Sequence, residues 1–222
     1  MHKNVKNLLE IKDNVKLKLN QNNKIPNIIA VSKTFQKEDI IPLIDFGHLD
    51  FGENKVQEAS NKWADLKSSY KKINLHMIGK LQTNKVKNVI PLFDYIHSLD
   101  SLKLAKKISE EQKKINKYLK IFIQINIGNE PQKNGIDPEE INEFYKECKN
   151  KLNLNIVGLM CIPPQNNSVK SFFLKMREMN NSLGLNELSM GMSSDYLEAI
   201  GYESSFLRIG SSIFGNRSVK QF

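Results

Sequence analysis

Cysteine is nearly absent from this 222-residue sequence, which holds only Cys148 and Cys161. Two thiols build neither a disulfide framework nor a cysteine metal cage, so a reducing compartment is expected. Arginine is almost as scarce: Arg177, Arg208 and Arg217 stand against thirty lysines. No apolar run approaches the roughly 18–20 residues of a membrane span, and Met1-His2-Lys3-Asn4 opens no apolar signal core. A cytoplasmic protein with no membrane partner is the expectation. The four histidines, at positions 2, 48, 76 and 97, lack metal-ligand spacing, so no metal is expected.

What is present is a globular composition, 40% hydrophobic and 26% charged. The length suits one domain over residues 1–222. A net charge of +9 would ordinarily suggest nucleic acid. Here the excess is lysine, scattered through an Asn- and Ile-rich chain, whereas phosphate-binding surfaces favour the bidentate fork of arginine. Nucleic acid is therefore not expected as a partner. Against that lysine background each arginine gains interest.

Short apolar runs recur at residues 25–32, 48–53, 75–81, 95–100, 119–127, 154–162, 187–192 and 206–214. Several are continuously apolar, as strands covered on both faces are. Between them lie helical stripes, such as Val56, Ala59, Trp63 and Leu66, then Leu104, Ala105, Ile108 and Ile115, then Val169, Phe172, Phe173, Met176, Met179 and Leu183. Val5, Leu8, Leu9, Val15 and Leu19 predict one extra helix before the first strand. Eight strands alternating with helices fit a doubly wound sheet or a barrel. No Gly-x-Gly-x-x-Gly follows the first strand, which disfavours a dinucleotide-binding sheet. The expected fold is α/β, a single (β/α)8 TIM barrel with an extra N-terminal helix.

In such a barrel the chemistry gathers at the C-terminal strand ends. Ser193, Ser194 and Asp195 follow the seventh strand, and Gly210, Ser211 and Ser212 follow Arg208 in the eighth. The loops after strands seven and eight are where barrels often bind phosphate through backbone N–H groups. Either serine could cap a following helix, and Gly210 would let a ligand approach the backbone closely. Lys33, one residue beyond Ile28-Ile29-Ala30-Val31, would stand at the barrel mouth. Apolar walls and a nearby cation favour its neutral, nucleophilic amine. An amine that captures a carbonyl, opposite a phosphate cup, suits pyridoxal 5′-phosphate and equally a Schiff-base aldolase.

In order along the chain stand AVSKT (30–34), FGEN and VQE (51–58), HMIGKLQTNK (76–85), IHSLD (96–100), LSMGMSSD (188–195) and RIGSSIFG (208–215). Together they resemble the pyridoxal phosphate homeostasis proteins, which are related to the N-terminal barrel of alanine racemase. The resemblance covers about residues 30–215. It implies pyridoxal 5′-phosphate held covalently on Lys33 as an internal aldimine, with Arg208 facing the pyridine nitrogen. It implies a phosphate cup of Ser193 or Ser194 with Gly210 and Ser211, a pocket lined by Asn54 and His76, and Met192 packed on the ring. Lys80 and Ser204-Ser205 depart from the family pattern at the rim.

A guanidinium is a donor only, so a ring nitrogen facing it must be unprotonated, which makes the ring a weak electron sink. Racemisation needs an acid–base group on each face of the substrate. In alanine racemases the second is a tyrosine of an additional C-terminal domain. This sequence ends at Phe222, and none of its six tyrosines matches that position. The expectation is a monomeric carrier or buffer of pyridoxal phosphate that delivers it to apo-enzymes. The alternatives are a low-activity amino-acid racemase using the same cofactor, and the aldolase.

Overall fold

The computed structural model describes residues 1–19, 24–130, 132–164 and 168–215. Helix α1 (Lys3–Lys18) comes first. A strand followed by a helix then repeats eight times: β1 (Asn27–Val31) and α2 (Lys37–Asp45), β2 (Asp50–Glu53) and α3 (Val56–Ser69), β3 (Asn74–Met77) and α4 (Val86–Leu92), β4 (Tyr95–Leu99) and α5 (Leu102–Ile115), β5 (Lys120–Ile125) and α6 (Ile141–Lys146), β6 (Ile156–Cys161) and α7 (Val169–Ser182), β7 (Glu187–Met192) and α8 (Tyr196–Ile200), β8 (Phe206–Ile209) and α9 (Ser211–Phe214). All strands are parallel and in sequence order, and β8 closes on β1 with Ile209 opposite Ala30. This is a (β/α)8 TIM barrel. Among the described residues no helix is long and apolar enough to cross a membrane.

The strands read as unbroken apolar runs because each faces two cores. In β1, Ile28 and Ala30 join the large cluster between sheet and helices, while Ile29 joins a small cluster inside the barrel with Tyr95, Phe122, Met160 and Phe206. Successive side chains alternate between these two layers. The inner layer also takes His76 and His97, stacked on Tyr95 at 4.2 Å and on Phe122 at 4.3 Å between ring centroids.

Helix α1 covers the seam where the barrel closes. Val5, Leu8, Ile11 and Val15 are buried, at the 3.6-residue period of one helical face. Asn7 Nδ2 donates to the Ile213 carbonyl of α9 at 2.8 Å, and Asn4 Nδ2 to the Asp39 carbonyl of α2 at 2.9 Å. Those bonds tie the first helix to both sides of the seam.

Two expectations are corrected. The run 206–214 is not one strand: β8 stops at Ile209, and Ser211–Phe214 turn into α9. There the backbone leaves the extended region at Gly210, where Ile213 N and Phe214 N both donate to its carbonyl at 2.9 Å. Ile115, placed on the buried stripe of α5, is 50% exposed, because that stripe ends at Gln112 near the helix C-terminus.

Candidate functional site

A cavity of about 620 Å³ opens at the C-terminal strand ends. The structure brings to it Lys33, Asn54, Met192, Ser193, Ser194, Arg208, Gly210 and Ser211 from the ends of β1, β2, β7 and β8. Val31 supplies an apolar wall, as do Phe35, Ile78 and Ile162, which the sequence did not single out. His76 does not line this cavity. It is fully buried within the barrel, its ring held between His97 and Asp50.

Lys33 follows β1 and is half-buried. Its two neighbours are clamped from β2 and α3. On one side Ser32 Oγ donates to Glu53 Oε1 at 2.7 Å, and Lys62 Nζ donates to the Ser32 carbonyl at 2.8 Å. On the other side Thr34 adopts a left-handed φ of 69°, costly for a β-branched residue, and its N–H donates to Glu58 Oε1 at 2.5 Å. Lys62 joins the two sides, donating to Glu53 Oε1 at 2.9 Å and Glu58 Oε1 at 3.1 Å. Trp63 Nε1 adds a third bond to Glu53 Oε1, at 2.9 Å. One residue further on, Phe35 stacks on Phe214 with centroids 4.7 Å apart, which joins this loop to α9. The sequence FGEN–VQE thus supplies the frame around Lys33. No linear spacing from Lys33 announces that role.

Across the cavity Ser193 Oγ accepts hydrogen bonds from Gly210 N at 3.3 Å and Ser212 N at 3.4 Å. Two backbone donors from the β8–α9 turn therefore converge on one oxygen, as they would on an oxygen of a phosphate. Ser194 and Ser211 are exposed at the rim. Neither serine caps α8. The N-cap position is held by Asp195, whose Oδ1 accepts from Met192 N at 2.6 Å and so fixes the turn that presents Ser193. Gly191 makes that turn possible: its φ is +92°, and a Cβ would stand 2.7 Å from Ala199 Cβ.

Arg208 is 5% exposed. Its Nη1 donates to the Ser189 carbonyl at 2.7 Å and to Ser189 Oγ at 2.6 Å, and its Nη2 to the Cys161 carbonyl at 2.7 Å. Three of the five guanidinium N–H donors are thus used, and two have no acceptor among the described residues. Burial lowers the guanidinium pKa, opposed by Cys161 and Asp195, yet a guanidinium remains charged at ordinary pH. Behind it lie Ser189, His97, His76 and Asp50, bonded in series and reaching the opposite face of the barrel. Asp50, His97 and Ser189 were not among the expected site residues. Each lies in a strand that carries another polar residue, Glu53 in β2, Ser98 in β4 and Glu187 in β7, so no isolated polar residue marked them in the sequence.

The residues fit pyridoxal 5′-phosphate in their donor set: an amine, converging backbone N–H groups, and a buried guanidinium with unused donors. The family described as alanine racemase, N-terminal domain, matches residues 7–218. The pyridoxal phosphate homeostasis protein of Aquifex aeolicus is 37% identical over 199 residues, 86% of each chain. That of Escherichia coli K12 is 33% identical over 223 residues, 95% of each chain. Among solved structures, PipY of Synechococcus elongatus with pyridoxal phosphate bound matches with a TM-score of 0.84 at 29% identity, covering 96% of this chain and all of that one. An alanine racemase of Clostridium difficile matches with a TM-score of 0.73 at 16% identity, over 98% of this chain and 57% of that one, a likeness of fold alone.

Proposed function

Because the chain belongs to the pyridoxal phosphate homeostasis protein family, built on the alanine racemase N-terminal barrel, we propose that it binds pyridoxal 5′-phosphate covalently at Lys33 and acts in the cytoplasmic homeostasis of that cofactor as carrier or buffer. The observation that carries the proposal is the single cavity shared by Lys33, the Ser193 cup and Arg208. Lys33 would hold the cofactor through its amine, since an amine and an aldehyde join reversibly with loss of water. Gly210 N and Ser212 N, which now meet Ser193 Oγ, take the phosphate together with that hydroxyl. Arg208 would offer one of its unused donors to the pyridine nitrogen, Asn54 would hold the cavity wall and Met192 would pack on the ring. When bound, the cofactor supplies an electron sink, which an unprotonated ring nitrogen keeps weak.

The lining chemistry favours storage over turnover. Among the described residues of the cavity wall, Lys33 is the one general acid–base candidate, with no His, Asp, Glu, Cys or Tyr beside it. A racemase needs two such groups. The mouth opens between exposed Ser194 and Ser211, which suits transfer from a monomer to an apo-enzyme. The test is a near-visible absorbance spectrum of the purified protein, followed by borohydride reduction and peptide mapping. A reduced pyridoxyl group on Lys33 is expected. A colourless protein that takes up no added cofactor overturns the proposal, and deuterium exchange at an amino-acid α-carbon with loss of chirality would replace it with the racemase.

A further inference from the structure

The cavity chemistry leaves four buried or half-buried polar side chains without a role, and they stand in one line through the barrel. Asp50 Oδ1 lies 3.0 Å from His76 Nε2, His76 Nδ1 3.0 Å from His97 Nε2, and His97 Nδ1 2.8 Å from Ser189 Oγ. Ser189 Oγ meets Arg208 Nη1 at 2.6 Å. The line runs between two cavities: Arg208 lines the one already described, and Asp50 lines another of about 260 Å³ at the N-terminal strand ends, with His48, Lys12 and Lys16.

The two ends fix every proton between them. A guanidinium only donates and an ionised carboxylate only accepts. Burial pushes the Asp50 carboxyl pKa upward, but the hydrogen bonds from His76 and Asn74 outweigh it and hold it below its ordinary value. Arg208 therefore donates to Ser189 Oγ, whose own O–H donates to His97 Nδ1. His97 Nε2–H donates to His76 Nδ1, and His76 Nε2–H donates to Asp50. The reverse order would set His76 and the Asp50 carboxylate acceptor to acceptor. Both rings are then neutral, which their burial independently favours, reinforced at His97 by the nearby Arg208.

We propose that Asp50, His76, His97 and Ser189 are positioning residues for Arg208: a polarised hydrogen-bond relay that fixes the orientation of the buried guanidinium toward the cofactor cavity and gives it a carboxylate countercharge across the barrel. The direct acceptors of Arg208, Ser189 and the Cys161 carbonyl, are neutral, and a buried cation without compensation is costly. Hydrogen bonds in series polarise one another, which transmits the charge of Asp50 toward Arg208. The part of this inference that concerns the cofactor rests on the function proposed above. The relay itself does not.

The test has a cofactor-free arm and a cofactor arm. In the apo-protein, 15N-histidine spectra are expected to show His76 and His97 as Nε2–H tautomers with unprotonated Nδ1. The His97→Leu variant is expected to shift the Arg208 guanidinium resonances and to weaken pyridoxal phosphate binding about ten-fold, the effect of leaving buried polar groups unpaired. His97→Gln, whose amide offers one acceptor and one donor as the neutral ring does, is expected to restore both readouts. If the leucine variant does not fold, Ser189→Ala removes a single hydroxyl and carries the same expectation. An Nδ1–H tautomer at either ring overturns the relay, as do wild-type Arg208 resonances in the variants. A wild-type protein that binds no pyridoxal phosphate overturns the proposed function instead, and the cofactor-free arm then decides the relay alone.

Discussion

Lys33 and Lys62 lie on either side of the same strand end, and their surroundings predict opposite consequences of losing them. Lys33 is half-buried on a cavity wall, outside both hydrophobic clusters. Lys33→Ala is expected to abolish the reducible pyridoxyl adduct while moving the Tm by no more than about 2 °C, as substitutions outside a core do. Thermal melting and borohydride mapping of the same sample check both halves. Lys62 is 8% exposed and donates to Glu53, Glu58 and the Ser32 carbonyl. Lys62→Met leaves the fully buried Glu53 carboxylate without its cation. That is expected to destabilise the fold by about 3 kcal/mol in urea unfolding, with part recovered by adding Glu53→Gln. The rarity of arginine made Arg208 visible in sequence. Thirty lysines hid Lys62, whose importance comes from partners just after β1 and on β2 and not from any pattern of its own.

At the scale of elements, the glycines of the last two strand ends differ in what the fold demands of them. At Gly191 the left-handed φ and the 2.7 Å approach to Ala199 Cβ leave no room for a side chain between β7 and α8. Gly191→Ala is expected to lose about 2 kcal/mol or more of stability. At Gly210 a Cβ would meet Val31 at 3.4 Å, and Gly210→Ala is expected to cost less than about 1 kcal/mol. Parallel urea titrations compare the two. The strand–helix order was legible because strands enclosed on both faces are apolar throughout. That same continuity concealed which side chains face inward. Ile28 and Ile29 are alike in sequence, yet one joins the outer core and the other the inner. The end of β8 was misjudged for the same reason, since Ile213 and Phe214 are apolar enough to prolong a strand while the turn at Gly210 redirects them into α9. The relay was least legible of all. Its members come from β2, β3, β4, β7 and β8, with His97 and Ser189 separated by 92 residues, so only closure of the barrel brings them together.

For the whole molecule, three buried histidines predict how stability depends on pH. Burial lowers the pKa of His48 to about 4 and also lowers those of His76 and His97, whereas the unfolded chain titrates each near the ordinary value of 6.5. Between those limits the unfolded chain binds protons that the native protein refuses. Stability is therefore complete above the unfolded pKa of 6.5 and falls as the pH drops toward 4. From its shift, His48 alone accounts for about 2 kcal/mol between neutrality and pH ~5. Urea unfolding at several pH values is expected to show a fall of at least that size, and His48→Gln is expected to remove the His48 share. A flat profile through this window would mean that the three rings bind protons in the folded state as readily as in the unfolded chain. Because the relay needs His76 and His97 neutral, its two rings are among those whose protonation drives the acid transition. The spectrum of bound cofactor is then expected to hold its form down the pH scale until the fold itself gives way, and circular dichroism followed alongside absorbance should show both losses in one transition.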